Sequence, residues 1–441
     1  MTVNIDSSVV YKLKDGYQIT KVYGEECSLV LKNKNEQPVA VLESCNNKVT
    51  AVLPYRGHQL SADEKSILHK FIVARQYQMN QDAAEALDVS ILKDELGQEA
   101  YLSERQVLKR LKERLNGVSL FIGSLNRHTL TIPAFSKGGI YNLSRAKVKK
   151  LVIEKNCDLI IDMRDNKTVE ALRMKESFTG RINLSRSTIE SIEIQNNCRC
   201  DLTVNESLRC FNLNIGDVYS GRLQIRNSCF HAIDIGFYSY ADIQLSDNWG
   251  RRDIKIGNSF RGVLNAASVN VDNITIGNDC KGKISVSSKN ELTGNHGIKI
   301  AEDFAGTFDV SGSQSLEKIE VGKHAKGHFN LLGCAGLKMA KFDKYFNGYA
   351  DFSESTVEFV QANYGCSGEM VFMNCENLAL LRLPQDKNSM ITTEKEPLAV
   401  KEDGQSQYYW FSKEKLPAHY FPSLYQKLYS NVRRYLSGEP E

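Results

Sequence analysis

A spacing, more than any motif, limits what this chain can become. Aligned on Gly282, the positions Gly139, Leu159, Gly180, Cys200, Gly221, Ala241, Gly262, Gly282, Gly306, Gly327, Gly348 and Gly368 follow one another at 20 or 21 residues, with one step of 24 after Gly282. Apolar columns keep the same step. Eight residues before the glycine stand Leu172, Ile192, Leu213, Ile233, Ile254, Ile274, Ile298 and Ile319, and six before stand Met174, Ile194, Ile215, Ile235, Ile256, Ile276, Ile300 and Val321. Two and four after it come pairs such as Ile182/Leu184, Ile243/Leu245, Ile284/Val286 and Phe308/Val310. Each repeat thus carries two short alternating segments, which is strand patterning, and neither is long enough for a helix.

A unit of 20 residues with two half-apolar strands cannot bury its own apolar face, so it must stack on its neighbours. The expected architecture is mainly β: a parallel β-solenoid, or β-helix, of about twelve coils, with equivalent residues about 4.8 Å apart and a stack roughly 55–60 Å long. Val118, Leu120 and Ile122 suggest a weaker first turn, and Leu378, Leu381 and Leu383 a last one ending at Pro384. Seven residues after the glycine, small polar residues dominate: Ser187, Ser207, Ser228, Asn248, Ser313, Cys334, Ser355 and Cys375. Such side chains can turn inward at a corner and bond the backbone of the next coil. The segment FDVSGSQSLEKIEV (308–321) is similar to the L-x-L-S-x-C-x-x-L-x-x-L-x-L phrasing of some bacterial leucine-rich repeats, which makes a leucine-rich-repeat-like solenoid the alternative. The second alternating strand in nearly every repeat favours the β-helix.

The flanks differ. Residues 1–58 alternate around Val10, Tyr17, Ile19, Leu29, Leu31, Val39 and Val41, as a small antiparallel β unit would. Residues 59–117 form the helical segment of the reading. Ser61-x-x-Glu64 and Ser103-x-x-Gln106 are capping-box patterns, and Asn116-Gly117 is a helix stop. The solenoid occupies 118–384, and 385–441 is a capping or docking segment: a strand at YYWF (408–411), then a helix from Pro417 to Leu436 with an aromatic face. An uncovered coil offers unpaired N–H and C=O groups, so both flanks are expected to cap the stack.

Three motifs invite chemistry and fit the repeat better. TIGNDCKGKIS (275–285) approaches a phosphate loop, but Ile284 stands where a hydroxyl is needed and a strand, not a helix, follows Lys283. NQDAAEALDVSILKDELG (80–97) has a helix-turn-helix cadence. Its would-be reading helix carries Asp94 and Glu95, which repel phosphates, so a structural helical pair is expected. A polysaccharide-active β-helix would gather carboxylates on one strand face. The outward column seven before the glycine instead alternates in sign, as in Asp234/Lys255 and Lys299/Glu320/Lys341, and Asp162/Asp165 and Glu206/Asp247 are turn acids.

Charge and cysteine usage bound the rest. With a net charge of +3, no strong pull toward nucleic acid or anionic membrane follows, and no apolar run is long enough for a membrane span. The N-terminus lacks secretory-signal patterning, and eleven cysteines without a C-x-x-C pair suit reduced, buried thiols. A cytoplasmic place follows as the expectation, with signal-independent secretion open. No catalytic, cofactor or metal residue stands out, and no cofactor is expected. The leading functional reading is a non-enzymatic scaffold or protein-interaction solenoid with an unknown protein partner, Tyr408, Trp410, Phe411, Tyr425 and Tyr435 being the candidate contact residues. The alternatives are a carbohydrate-binding or carbohydrate-processing β-helix, and a filament former joined as a homo-oligomer through solenoid ends or faces.

Overall fold

A computed structural model describes residues 7–22, 27–94, 98–112, 117–122, 125–209, 211–248, 253–267, 272–287, 297–385, 390–403 and 406–411. The protein is mainly β, and its dominant element is a parallel β-solenoid of about twelve turns. Two compact units divide the chain, 1–188 and 189–441.

The first unit opens with β1 (Ser7–Lys12), β2 (Gln18–Val22), β3 (Cys27–Lys32), β4 (Pro38–Cys45) and β5 (Lys48–Pro54), an antiparallel sheet in sequence order. Its apolar face, with Ile19, Leu29, Leu31, Leu42 and Val49, packs on Leu68, Phe71 and Ile72 of helix α1 (Ala62–Ala74) and Ala83 and Ala84 of α2 (Gln81–Ala86). Helix α1 starts where the sequence says. The Glu64 backbone N–H donates to the Ser61 hydroxyl at 3.3 Å, while the Glu64 carboxylate accepts from the Ser61 N–H at 2.8 Å.

The helical pair expected over 80–97 does not form. Helix α2 stops before Asp88, which takes a left-handed backbone with φ +54°, and Ser90–Lys93 is a strand. Val89 and Ile91 are β-branched and buried, which favours extended backbone. This strand pairs antiparallel with Glu99–Leu102 and with Ser119–Phe121, the first strand of the coil stack. The N-terminal region therefore covers an open sheet edge with its own backbone. A third helix, α3 (Glu104–Lys112), follows Ser103. The unit then builds first strands Asn126–Ile132, Lys147–Ile153 and Ala171–Met174, and second strands Lys137–Asn142, Asp158–Asp162 and Thr179–Asn183.

The second unit continues the same grammar. Ile254, Ile274, Ile298, Ile319, Ala340 and Val360 are Cα partners in one parallel sheet, all buried. Each such side chain gains roughly 1.5–3 kcal/mol from full burial, which is what holds coil on coil. From Phe304 to Phe372 the interior turns aromatic. Phe329 lies 5.4 to 6.3 Å from the rings of Phe304, Phe308, Phe342 and Phe346. In the second-strand sheet the last parallel partner is Met390–Thr393, on Glu369–Phe372. In the first-strand sheet the parallel run ends at Leu380–Pro384, which pairs antiparallel with Ser406–Trp410, and that strand pairs antiparallel with Ala399–Asp403.

Turn chemistry explains the columns. Several corner residues bond the backbone of the preceding coil, not of the next one as the sequence suggests, while the Ser207 hydroxyl donates within its own coil to the Arg209 carbonyl and the Ser355 hydroxyl meets the Cys375 sulfur of the following one. The Ser228 hydroxyl donates to the Val204 carbonyl at 3.0 Å, the Asn248 amide to Ile225 at 3.1 Å and the Cys334 thiol to Val310 at 3.2 Å. Each reaches a carbonyl of the preceding coil and ties the two turns together; the Val310 carbonyl accepts the Ser313 N–H as well, at 3.1 Å. The glycine column answers a steric demand. A Cβ on Gly282 would lie 2.5 Å from the Gly262 carbonyl oxygen and 2.6 Å from the Phe260 ring. Most coils also hold two residues in left-handed backbone. One column includes Asn156, Ser177, Asn197, Val218, Tyr238, Asp279 and Tyr345, and the other Asp165, Arg186, Glu206, Asn227 and Asp247.

Candidate functional site

Inward positions are spent on the core, so a coil can offer a ligand only its turns and the outward residues of its strands. Two places in the second unit depart from the bland surface.

The first is a corner. Val218, Phe237, Tyr238 and Tyr240 lie on adjacent turns, joined by the Val218 N–H donating to the Phe237 carbonyl at 2.8 Å. They are 44%, 48%, 58% and 61% exposed. Val218 and Tyr238 sit in left-handed backbone, at φ +57° and +54°. The coil before places Asn197 in that column and the coils after place Ser259 and then Asp279; Asn and Asp tolerate the conformation. For a β-branched or bulky residue it is an uncommon and costly choice. Later coils also place rings outward, Tyr345 (φ +62°, 45% exposed) and Tyr364 (47% exposed) among them, and there the rings contact one another. His324 stacks on Tyr345 at 5.2 Å and His328 on Tyr349 at 4.5 Å.

The second is a depression of about 410 Å³ on the outer face of the first-strand sheet. Two outward columns cross four coils there. One runs Asp253, Asn273, Gly297, Lys318 and the other Lys255, Thr275, Lys299, Glu320. Lys318 pairs with Glu320 at 2.6 Å, Lys255 with Asp234 at 3.7 Å, and the Asn273 amide donates to Asp253 at 2.9 Å. The Lys318 ammonium leads the charges that hold the Glu320 carboxyl below its ordinary range, against partial burial, with Lys341 and Lys299 adding to it. Asp253 and Glu320 stand three coils apart, roughly 14 Å along the stack. Paired glycosidase carboxylates stand about 5 to 9.5 Å apart, so these two cannot share one glycosidic bond.

The chemical motifs resolve into structure. Lys283 opens the strand Lys283–Ser287, with no helix behind it to hold a phosphate, and Cys280 is buried. The turn acids are paired: Arg164 grips Asp162 through two nitrogens, and Arg186 bonds Asp165 at 2.7 Å. Among the described residues, no group of three His, Cys, Asp or Glu side chains is placed to hold a metal ion. No helix among them is long and apolar enough to cross a membrane.

The aromatic residues singled out near the C-terminus separate. Tyr408 and Trp410 are 3% and 4% exposed, because their strand covers Leu380–Pro384. Phe411 is half-buried and donates its N–H to the Ala379 carbonyl at 2.9 Å. Tyr425 and Tyr435, with the helix expected over 417–436, lie outside the described residues.

The thiols follow expectation with one correction. Cys157, Cys198, Cys200, Cys280, Cys334, Cys366 and Cys375 are free and buried, and Cys45 is free and exposed. Burial pushes Cys200 and Cys334 up to about 12. Cys229, however, is disulfide-bonded. An all-reduced chain is therefore not what the structure holds. The sequence hid this because Cys229 shares no column with the other cysteines.

Sequence reasoning missed both surface features. The run Phe237-Tyr-Ser-Tyr240 was visible as letters, but its exposure depends on which residues occupy the turn. No protein-family model matches this sequence, and no curated protein and no solved structure matches it at significance.

Proposed function

We propose that this protein is a non-enzymatic interaction solenoid, and that a protein partner docks on the corner formed by Val218, Phe237, Tyr238 and Tyr240. The observation that carries the reading is the pairing of exposure with backbone cost. Left-handed backbone costs an ordinary residue about 1–2 kcal/mol, and asparagine or aspartate would relieve it. Val218 and Tyr238 incur that cost on two adjacent turns while remaining about half exposed. Exposed apolar clusters rimmed by polar residues mark contact sites, and aromatic anchors supply most of an interface's affinity.

The test uses full-length protein and the variant Phe237→Ser/Tyr238→Asn/Tyr240→Ser as baits in extracts of the source organism, with quantitative mass spectrometry. A partner retained by the parent and lost by the variant, at equal unfolding midpoint, supports docking here. Equal retention defeats it. A chain ending after Phe411 tests the C-terminal segment with Tyr425 and Tyr435 as the second docking candidate.

A further inference from the structure

Among the described glycines of the solenoid, Gly297 alone has no structural reason to be glycine. The others either carry positive φ or would drive a Cβ into backbone or ring at under 3 Å. At Gly297 φ is not positive, and among the described residues the nearest atom to a Cβ would be the Asn273 side-chain oxygen at 3.9 Å. Glycine inside a strand costs roughly 0.5–1 kcal/mol against alanine. Gly297 is the first residue of its strand, Gly297–Ile300, and a strand glycine without a steric role can mark close approach of a ligand or another backbone. Gly297 lies on the floor of the depression between Asn273 and Lys318, with Lys299 beside it.

We propose that this depression binds a hexuronate unit of an acidic polysaccharide, a site beyond the protein-docking corner and independent of it. The charge pattern selects the ligand. Lys318 is committed to Glu320 and Lys255 to Asp234, whereas Lys299 makes no ion pair or hydrogen bond among the described residues. Three ammonium groups, Lys255, Lys299 and Lys318, against two lining carboxylates, Asp253 and Glu320, leave one net positive charge, with Lys299 facing Glu320 but in no ion-pair contact with it; that suits a single carboxylate better than a phosphate dianion. Asn273 and Thr275 supply uncharged partners for ring hydroxyls, and the absent side chain at Gly297 lets the ring lie against the strand. A volume of about 410 Å³ holds one or two sugar units.

Titration calorimetry on the full chain decides this with three probes: galacturonate, digalacturonate and the methyl ester of digalacturonate. The ester keeps every hydroxyl and removes the charge. Digalacturonate binds, the ester binds about tenfold more weakly, and Lys299→Gln reproduces that loss with the acid. Gly297→Val, which fills the floor, abolishes binding while the unfolding midpoint holds, and Gly297→Ala weakens it. Equal binding of acid and ester, retention of binding by Gly297→Val, or no heat with digalacturonate at about 10 mM would each overturn the proposal.

Discussion

Gly306 and Gly297 look alike in sequence, and alanine should affect them oppositely. A Cβ on Gly306 would stand 2.1 Å from the Gly282 carbonyl oxygen, where ordinary contact begins near 3.4 Å. The two coils must separate there by roughly 1 Å. Two hydrogen bonds bracket the point: Ala305 N–H to the Cys280 carbonyl at 2.9 Å and Thr307 N–H to the Gly282 carbonyl at 3.2 Å. Opening by that much stretches both beyond hydrogen-bond range. Each buried bond left unmade costs about 1–3 kcal/mol, so Gly306→Ala should lose about 3 kcal/mol, a large share of a typical domain's 5–15 kcal/mol. Gly297→Ala meets nothing closer than 3.9 Å among the described residues, and should gain about 0.5 kcal/mol by reducing the freedom of the unfolded chain. Guanidinium unfolding followed by circular dichroism measures both differences. A Gly306→Ala midpoint equivalent to the parent's within about 0.5 kcal/mol would refute the claim that backbone contact sets the glycine column.

Three further outcomes are expected. Glu64 is buried, which raises its pKa, but the bonds from the Ser61 backbone, His58 and the Ser61 hydroxyl outweigh this and leave it below the ordinary 4.5. Its contribution is therefore present above pH 4.5 and lost as pH falls through the lower folded-state value. Glu64→Gln should flatten that acid limb and cost about 1 kcal/mol at pH 7, read by urea unfolding across pH. Of the eight free thiols among the described residues, exposed Cys45 should react promptly with Ellman's reagent in the native protein, while the seven buried ones wait for unfolding. Fast labelling of Cys280 or Cys334 would show that the coils open. Ending the chain after Leu398 removes the strand Ser406–Trp410, Tyr408 and Trp410 with it, and exposes the Leu380–Pro384 edge, so light scattering should rise. Ending it after Phe411 keeps that strand, and scattering should stay flat.

The coil was legible because its demands are repeated. One glycine or one isoleucine means little, but ten in register define a column, and steric contact with the preceding coil enforces it. The left-handed turn columns were not legible, since Asn, Ser, Asp, Val, Tyr and His all occupy them and no residue type marks the place. Ser90–Lys93 was misread because four residues carry too little pattern, and of its two partner strands Glu99–Leu102 is equally short while Ser119–Phe121 stands about thirty residues on. The site was harder still. Gly297 resembles one more repeat glycine until the register puts it nine residues before Gly306, in a column that faces outward. Its lack of a steric role shows only against coordinates.

The antiparallel strand Ser406–Trp410 has a consequence for how such a chain can change length. A parallel coil presents the next coil with an edge of the same polarity it received, so nothing in its own residues fixes how many follow. Number is written outside the repeat, in the strand that reverses direction. Whole coils could thus be gained or lost by duplication while both ends stay intact. Excising residues 263–282, which joins Gly262 to Lys283, should give a folded protein one coil shorter, with Trp410 still buried. A deletion of ten residues would instead put strand against turn throughout the coils beyond it.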